Sequence, residues 1–375
     1  MTSTGHTSES TRWRAPDGAR HRLSRPEIGT AEEVAARYDR VIERARPAGY
    51  AVQPQRVWRW QIAGYLYLGG LGAGAFAVAV ILDWLGLGLP LTIGSPVGDR
   101  AWDWSQALVL WGPLVTGVGA SLLVLDLGRN WWRFFTAGNN PRTSWMARGF
   151  SILLSFIVLG CLVGVVSFLA PDWRTAAPAL WRGVEVLAVL AALGTAIYTG
   201  VLLRSMTYIA AWNARHIPVL FFVSALSTGA MGVLLGAVIF GWFGGDRAAA
   251  ESAVRAVEAF EPLLLMGEAA VLIFYVRSLR AGKPAAALSA RILLAGSWRY
   301  PFWVGVAGMA LGLPLILDLV NLGVRSEVVA VIAAVSVLIG GLILRLAVLG
   351  AGVKDVPALC KLGEWRSTHA LQPGG

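Results

Sequence analysis

Ionisable side chains are scarce inside the apolar runs of this 375-residue chain, and their places are the first guide to its chemistry. Asp83, Asp126, Glu185, Glu268, Asp318, Arg204 and Arg345 fall within or at the ends of long hydrophobic segments. A charge at the centre of a bilayer costs ~3 kcal/mol or more, so such residues tend to be retained for function. Glu268, midway along PLLLMGEAAVLIF, has no charged neighbour in sequence. It reads either as a proton-relay group or as a neutral carboxyl hydrogen-bonded between helices. Asp126, near the inner end of its segment, is the second candidate for a proton path. Arg204 and Arg345 read as side chains that snorkel to lipid headgroups. Asp83, Glu185 and Asp318 read as groups wetted at the outer ends or paired with arginine.

A second set of groups is polar but uncharged. In WRWQIAGYLYLGGLGAG (58–74), Gln61 and Tyr65 are four residues apart and share one helical face. Gly69 and Gly72 continue that face and are expected to leave space beside it. Tyr198, in IYTGVLLR, comes to a similar depth on a helix running the opposite way. Two phenols, an amide and apolar walls suit a quinone ring, whose carbonyl oxygens accept hydrogen bonds. The plainer reading of the same residues is an interfacial anchor, with Trp58 and Trp60 in an aromatic belt. His6, His21, His216 and His369 are the only histidines, and none lies in the middle of an apolar run. Paired axial haem ligands are therefore not expected. Cys161 and Cys360 are far apart and form no CxxC pair, so neither an iron–sulfur cluster nor another metal is expected in this protein.

The elements that must carry these groups are membrane spans. The chain is 56% apolar and only 14% charged, with a mean hydropathy of +0.61, far from the composition of a soluble domain. Segments of about twenty residues recur, as a bilayer requires. They predict an all-α polytopic membrane protein with eight spans, near 60–84, 106–127, 149–170, 183–204, 217–240, 257–278, 300–321 and 327–350. Residues 1–57 form an Arg-rich tail without the pattern of a secretory signal, residues 58–350 the membrane domain, and residues 351–375 a second tail. Lys and Arg concentrate in both tails and in the loops after spans 2, 4 and 6, which puts these in the cytoplasm by the positive-inside rule. The net charge of +10 follows from that asymmetry and from anionic headgroups, not from a nucleic-acid partner. Within the first tail, TAEEVAARYDRVIERAR (30–46) has a capping-box start, Thr30 to Glu33, and an apolar face. It is expected to form an interfacial helix or a docking surface. Ser224, Thr228, Gly232 and Gly236, like Gly70 and Gly74, are small residues in four-residue steps that let helices approach closely.

Three stretches in order, WRWQIAGYLYLGGLGAG, LDLGRNWWRFF (125–135) with NPRTSWMARGF (140–150), and AIYTGVLL (196–203), resemble the NrfD/polysulfide-reductase family of integral membrane subunits. The resemblance covers roughly residues 57–350. It implies two four-helix bundles that bind quinone, menaquinone or ubiquinone, and carry no haem, iron–sulfur cluster or metal. It also implies electron exchange with a ferredoxin-like iron–sulfur subunit and, through it, a molybdopterin catalytic subunit. By motif, the family's tyrosine falls on Tyr198 and its polar first-span position on Tyr65, with Gln61 or Ile62 one turn earlier. Where some relatives carry histidine at that position, tyrosine donates a hydrogen bond but does not take up protons near neutral pH. The cytoplasmic loop with Arg129, Trp131, Trp132 and Arg133 is expected either to dock the iron–sulfur partner or to anchor the protein at the interface. The rival readings are a secondary transporter and a passive anchor without quinone.

Overall fold

The computed structural model describes residues 58, 60–87, 90–91, 102–127, 145–169, 176–207, 209–242 and 247–353. The segment 30–46, the loop bearing Arg129, Trp131, Trp132 and Arg133, and the side chain of Asp126 lie outside the described residues.

Long helices follow one another with short connections: α1 (Trp60–Trp84), α2 (Trp104–Leu127), α3 (Trp145–Leu169), α4 (Pro178–Arg204), α5 (Ile217–Trp242) and α6 (Arg247–Arg280). After the short α7 (Pro284–Leu294), α8 begins as a π-helix (Pro301–Gly312) and continues as an α-helix (Leu313–Val324); α9 is Glu327–Gly350. Between α1 and α2, β1 (Pro90–Leu91) pairs antiparallel with β2 (Trp102–Asp103). Prolines open α4, α7 and α8 in the first turn, where a missing N–H costs nothing. Arg325, in the left-handed region at φ 50°, closes α8 and turns the backbone into α9.

The protein is thus an all-α multi-pass membrane protein. Among the described residues, seven helices are long and apolar enough to cross a bilayer: α1, α3, α4, α5, α6, α8 and α9. The expected eighth crossing, α2, shows a shorter apolar stretch, Val109–Leu125.

Two rings of four helices result. In the first, α1 packs on α2, α2 on α3, α3 on α4 and α4 on α1; in the second, α5, α6, α8 and α9 do the same. Helix α1 also packs on α5 and α9, so it belongs to both rings and is the most buried of the spans. Between helices in lipid there is little hydrophobic drive, and small residues supply the contact instead. A Cβ on Gly72 would meet the Gly112 carbonyl oxygen at 2.3 Å, and one on Gly74 the Ala225 carbonyl oxygen at 2.0 Å. On α5 the labour is divided: Ala225 and Gly229 face α1, while Ser224 and Thr228 face Arg345 and Gly341 of α9. The outer faces present Val158, Leu319 and Leu322 to the surroundings, as a lipid-facing surface should. For reference below, the near end is the one at which α1 starts, and the far end is where it finishes.

Candidate functional site

Antiparallel packing of α1 against α4 puts residue 69 beside residue 199, so the Tyr198 backbone stands roughly 7 Å deeper than that of Tyr65, toward the far end. Both phenols are almost fully buried, and they face each other closely enough to interact electrostatically. One turn before Tyr65, the Gln61 side-chain oxygen is buried with no hydrogen-bond partner among the described residues. An orphaned buried amide oxygen costs about 1–3 kcal/mol unless something donates to it. Tyr65 and Tyr198 are thus buried within electrostatic reach of each other, with Gln61 one turn from Tyr65 on α1.

A fourth residue holds them. A Cβ on Gly149 of α3 would lie 1.5 Å from Cζ of Tyr198 and 2.0 Å from each Cε. The hydroxyl-bearing end of the ring occupies the place where a side chain at 149 would begin. Gly149 sits inside NPRTSWMARGF, yet nothing in its spacing marks it, because the contact crosses from α3 to α4. The glycines of α1 differ from expectation. Beside Gly69 the nearest atom is 4.0 Å away on Thr199, so there is room for a small group. Gly72 leaves no space, because α2 fills it with Gly112 and Thr116.

On the opposite side of α1 lies a second polar set. Arg345 does not snorkel: it is fully buried, with Nη1 donating to Ser224 Oγ at 2.5 Å and to the Gly341 carbonyl at 3.0 Å. The guanidinium is held inward because it lies over two aromatic rings, Phe221 at 5.3 Å and Tyr67 at 5.7 Å. Tyr67 in turn donates to the Leu338 carbonyl at 2.9 Å. Glu268 is buried in the same ring of helices, with Ser224 and Ser227 beside its carboxyl and Arg345 facing it. The charge partner that the sequence around residue 268 lacks comes from α9.

Further toward the far end, antiparallel α6 and α8 set Glu258 against Asn321 and Glu261 against Asp318. The Asn321 amide donates to Glu258 Oε1 at 2.6 Å, and the Glu261 and Asp318 carboxyl groups are in hydrogen-bonding contact. Asp318 was expected to be wetted or paired with arginine; it meets a second carboxyl instead. Glu258 and Glu261 carry no signal in the sequence beyond lying in the first turns of an apolar segment. Glu185 does find an arginine. Its carboxylate accepts from Arg182 at 3.2 Å, from Trp84 Nε1 at 2.8 Å and from Trp181 Nε1 at 2.5 Å, tying α1 to α4 at the far end. Arg204, exposed in the last turn of α4, is free to reach headgroups.

Fold and site together define a class: a multi-pass helical membrane protein with polar side chains buried among its helices. The family described as polysulphide reductase, NrfD, matches residues 50–357, and this protein belongs to it. The C subunit of polysulfide reductase from Wolinella succinogenes is 31% identical over 317 residues, covering 79% of this sequence and 94% of the relative. Protein NrfD of Escherichia coli is 28% identical over 324 residues, with 79% and 95% covered. A protein NrfD homolog of Haemophilus influenzae is 25% identical over 318 residues, with 80% and 95% covered.

Proposed function

We propose that the protein is the quinone-binding membrane subunit of an oxidoreductase complex in the cytoplasmic membrane. It exchanges electrons between membrane quinone and a ferredoxin-like iron–sulfur subunit on the cytoplasmic side, which serves a molybdopterin catalytic subunit. Family membership supports the subunit role, since one relative is by its name one part of a multi-subunit reductase. The observation that supports the quinone reading is the burial of Tyr65 and Tyr198 within electrostatic reach of each other, with the unpartnered Gln61 oxygen one turn before Tyr65.

The chemistry follows from donor and acceptor types. Quinol gives up two electrons and two protons as it becomes quinone; the electrons leave to the partner's cluster. A phenol donates a hydrogen bond to a quinone carbonyl, and the Gln61 oxygen accepts one from a quinol hydroxyl. Tyr65 and Tyr198 therefore orient the ring. They are poor proton acceptors near neutral pH, so the released protons pass to water or to other groups, with Glu268 and Asp126 as the candidates. Arg129, Trp131, Trp132 and Arg133 would dock the iron–sulfur partner on the cytoplasmic face, where the basic loops place both tails.

The test is saturable binding of a fluorescent quinol analogue to the purified full-length protein beside Tyr198→Phe. Weaker binding of the variant supports the pocket between α1 and α4. Equal binding moves the site elsewhere, and no binding by well-folded protein leaves an anchor without quinone. A reporter fused to the C-terminus and active only outside the cytoplasm would overturn the orientation.

A further inference from the structure

The two ends of the protein treat their arginines differently. Toward the far end, Arg182 and Arg255 each have a carboxylate one turn away on the same helix, Glu185 at 3.2 Å and Glu251 at 3.7 Å. At the near end the acids run out. Between Glu268 and Asp318 the sequence holds no Asp or Glu, yet it holds Arg277, Arg280, Lys283, Arg291 and Arg299. All of these cations are exposed, at the end of α6, on and beside α7 and just before α8. Among the described residues, no carboxylate pairs with Arg277, Arg280, Arg291 or Arg299. Like charges gathered without counter-charge repel one another, and an anion supplied from outside the chain relieves this.

The surface below the cations says which anion. Leu263, Met266, Ala270, Ile273, Arg277 and Arg280 follow one another in alternating steps of three and four, so they form one stripe along α6. Every one of them is exposed. The stripe is apolar from Leu263 to Ile273 and cationic beyond. Its apolar part rises about 15 Å, half of a hydrocarbon core ~30 Å thick, which is the reach of one acyl chain in one leaflet. Ala270, the smallest of the set, makes a shallow seat in mid-stripe. Headgroup depth is marked independently on α8. Arg299 stacks over the Tyr300 ring at 4.5 Å and donates to its hydroxyl at 2.8 Å, while Trp303 Nε1 donates to the Leu294 carbonyl at 3.1 Å. Tyr300 and Trp303 are both exposed, as an interfacial aromatic belt requires. Helix α7 joins this belt to the end of α6: it packs on α6 through a buried stripe that includes Ala286, Ala290 and Leu293, and leaves Arg291 outside. A soluble acidic protein would cover the arginines and leave the apolar stripe untouched, and so would a free anion. An anionic phospholipid uses both.

We infer that the outer face of α6, beside α7, is a binding site for an anionic phospholipid of the near leaflet. Arg277 and Arg280 hold the phosphate through charge-assisted hydrogen bonds, and Arg291 and Arg299 add to the attracting potential. One acyl chain lies along the stripe from Ile273 to Leu263, passing over Ala270. Such a site stands whether or not the protein binds quinone, because it faces outward from the second ring.

The test is native mass spectrometry of the full-length protein in neutral detergent, titrated with phosphatidylglycerol and, separately, with phosphatidylcholine of the same chains. Wild type should retain phosphatidylglycerol in preference. Arg277→Gln with Arg280→Gln should weaken retention roughly 30-fold, about 5-fold for each cation. Arg204→Gln with Arg215→Gln removes the same charge from the same end, on α4 and just before α5, and should leave the affinity as it was. Ala270→Trp keeps every charge but fills the seat, and should weaken retention as well; binding like wild type would overturn the placement of the chain. Equal losses in the two double variants would reduce the effect to net charge and overturn the site, as would equal retention of the two lipids. Displacement by inorganic phosphate would leave an anion site and no lipid. An Arg277→Gln, Arg280→Gln variant that keeps its lipid but loses its copurifying subunits would make the patch a protein docking surface instead.

Discussion

Substituting Gly149 with alanine is the sharpest probe of the proposed quinone site, because it changes no group that would touch the ring. The new Cβ would sit 1.5 Å from Tyr198 Cζ, whereas ordinary contact begins at 3.4 Å, so the phenol must retreat by about 2 Å. A hydrogen bond of 2.7–3.2 Å does not survive a displacement of about that size. The hydroxyl contribution is about 0.5–1.5 kcal/mol for a neutral bond, so quinol-analogue affinity should fall roughly 2- to 10-fold, as for Tyr198→Phe. Stability is the weaker readout: overpacking costs ~1–3 kcal/mol, while alanine in place of glycine returns up to ~1 kcal/mol of helix propensity. The assay is therefore a double-mutant cycle on binding. If Gly149 acts only by seating Tyr198, the double variant binds no worse than Gly149→Ala alone. Additive losses, or Gly149→Ala binding like wild type while Tyr198→Phe does not, would refute the reasoning.

Other outcomes follow from the same packing. Arg345→Met strips Glu268 of its facing cation and should cost about 3–5 kcal/mol in detergent unfolding; adding Glu268→Gln should restore part of the loss. Gly74→Val drives a side chain into the Ala225 carbonyl and should destabilise by ~3 kcal/mol or more, whereas Gly117→Ala, with nothing within 4 Å, should be neutral or better in the same assay. His216 precedes α5, and burial together with the Arg215 cation lowers its pKa below the ordinary histidine value. The unfolded state thus takes up the proton more readily, so this contribution to stability is complete above about pH 6.5 and is lost as pH falls through the lower folded value. His216→Gln should flatten that limb of the unfolding midpoint against pH.

Hydropathy made the helices legible, with α1, α5 and α9 expected within a residue or two of where they stand. Period and length alone determine such segments, whereas the π-helical start of α8 depends on tertiary contacts, among them Ser336 donating to the Met309 carbonyl. Gln61 and Tyr65 could be set on one face of α1 because face follows from helix geometry. Gly149 could not be set against Tyr198, since only the α3–α4 register gives it a neighbour. Arg345 misled for a related reason: near a helix end, arginine ordinarily reaches for headgroups, and the rings of Tyr67 and Phe221 that retain it come from other helices. Glu261 and Asp318 lie 57 residues apart in number, and only the antiparallel packing of α6 on α8 reveals that they meet.

Tyr65 and Tyr67 are two residues apart on α1, about 200° around its axis. The first looks toward Tyr198, the second toward Arg345. One helix is therefore a party wall with an ear on each side. Because its small residues seat it against neighbours in both rings, it cannot roll to admit a larger guest on one side without dragging Tyr67 off the Leu338 carbonyl on the other.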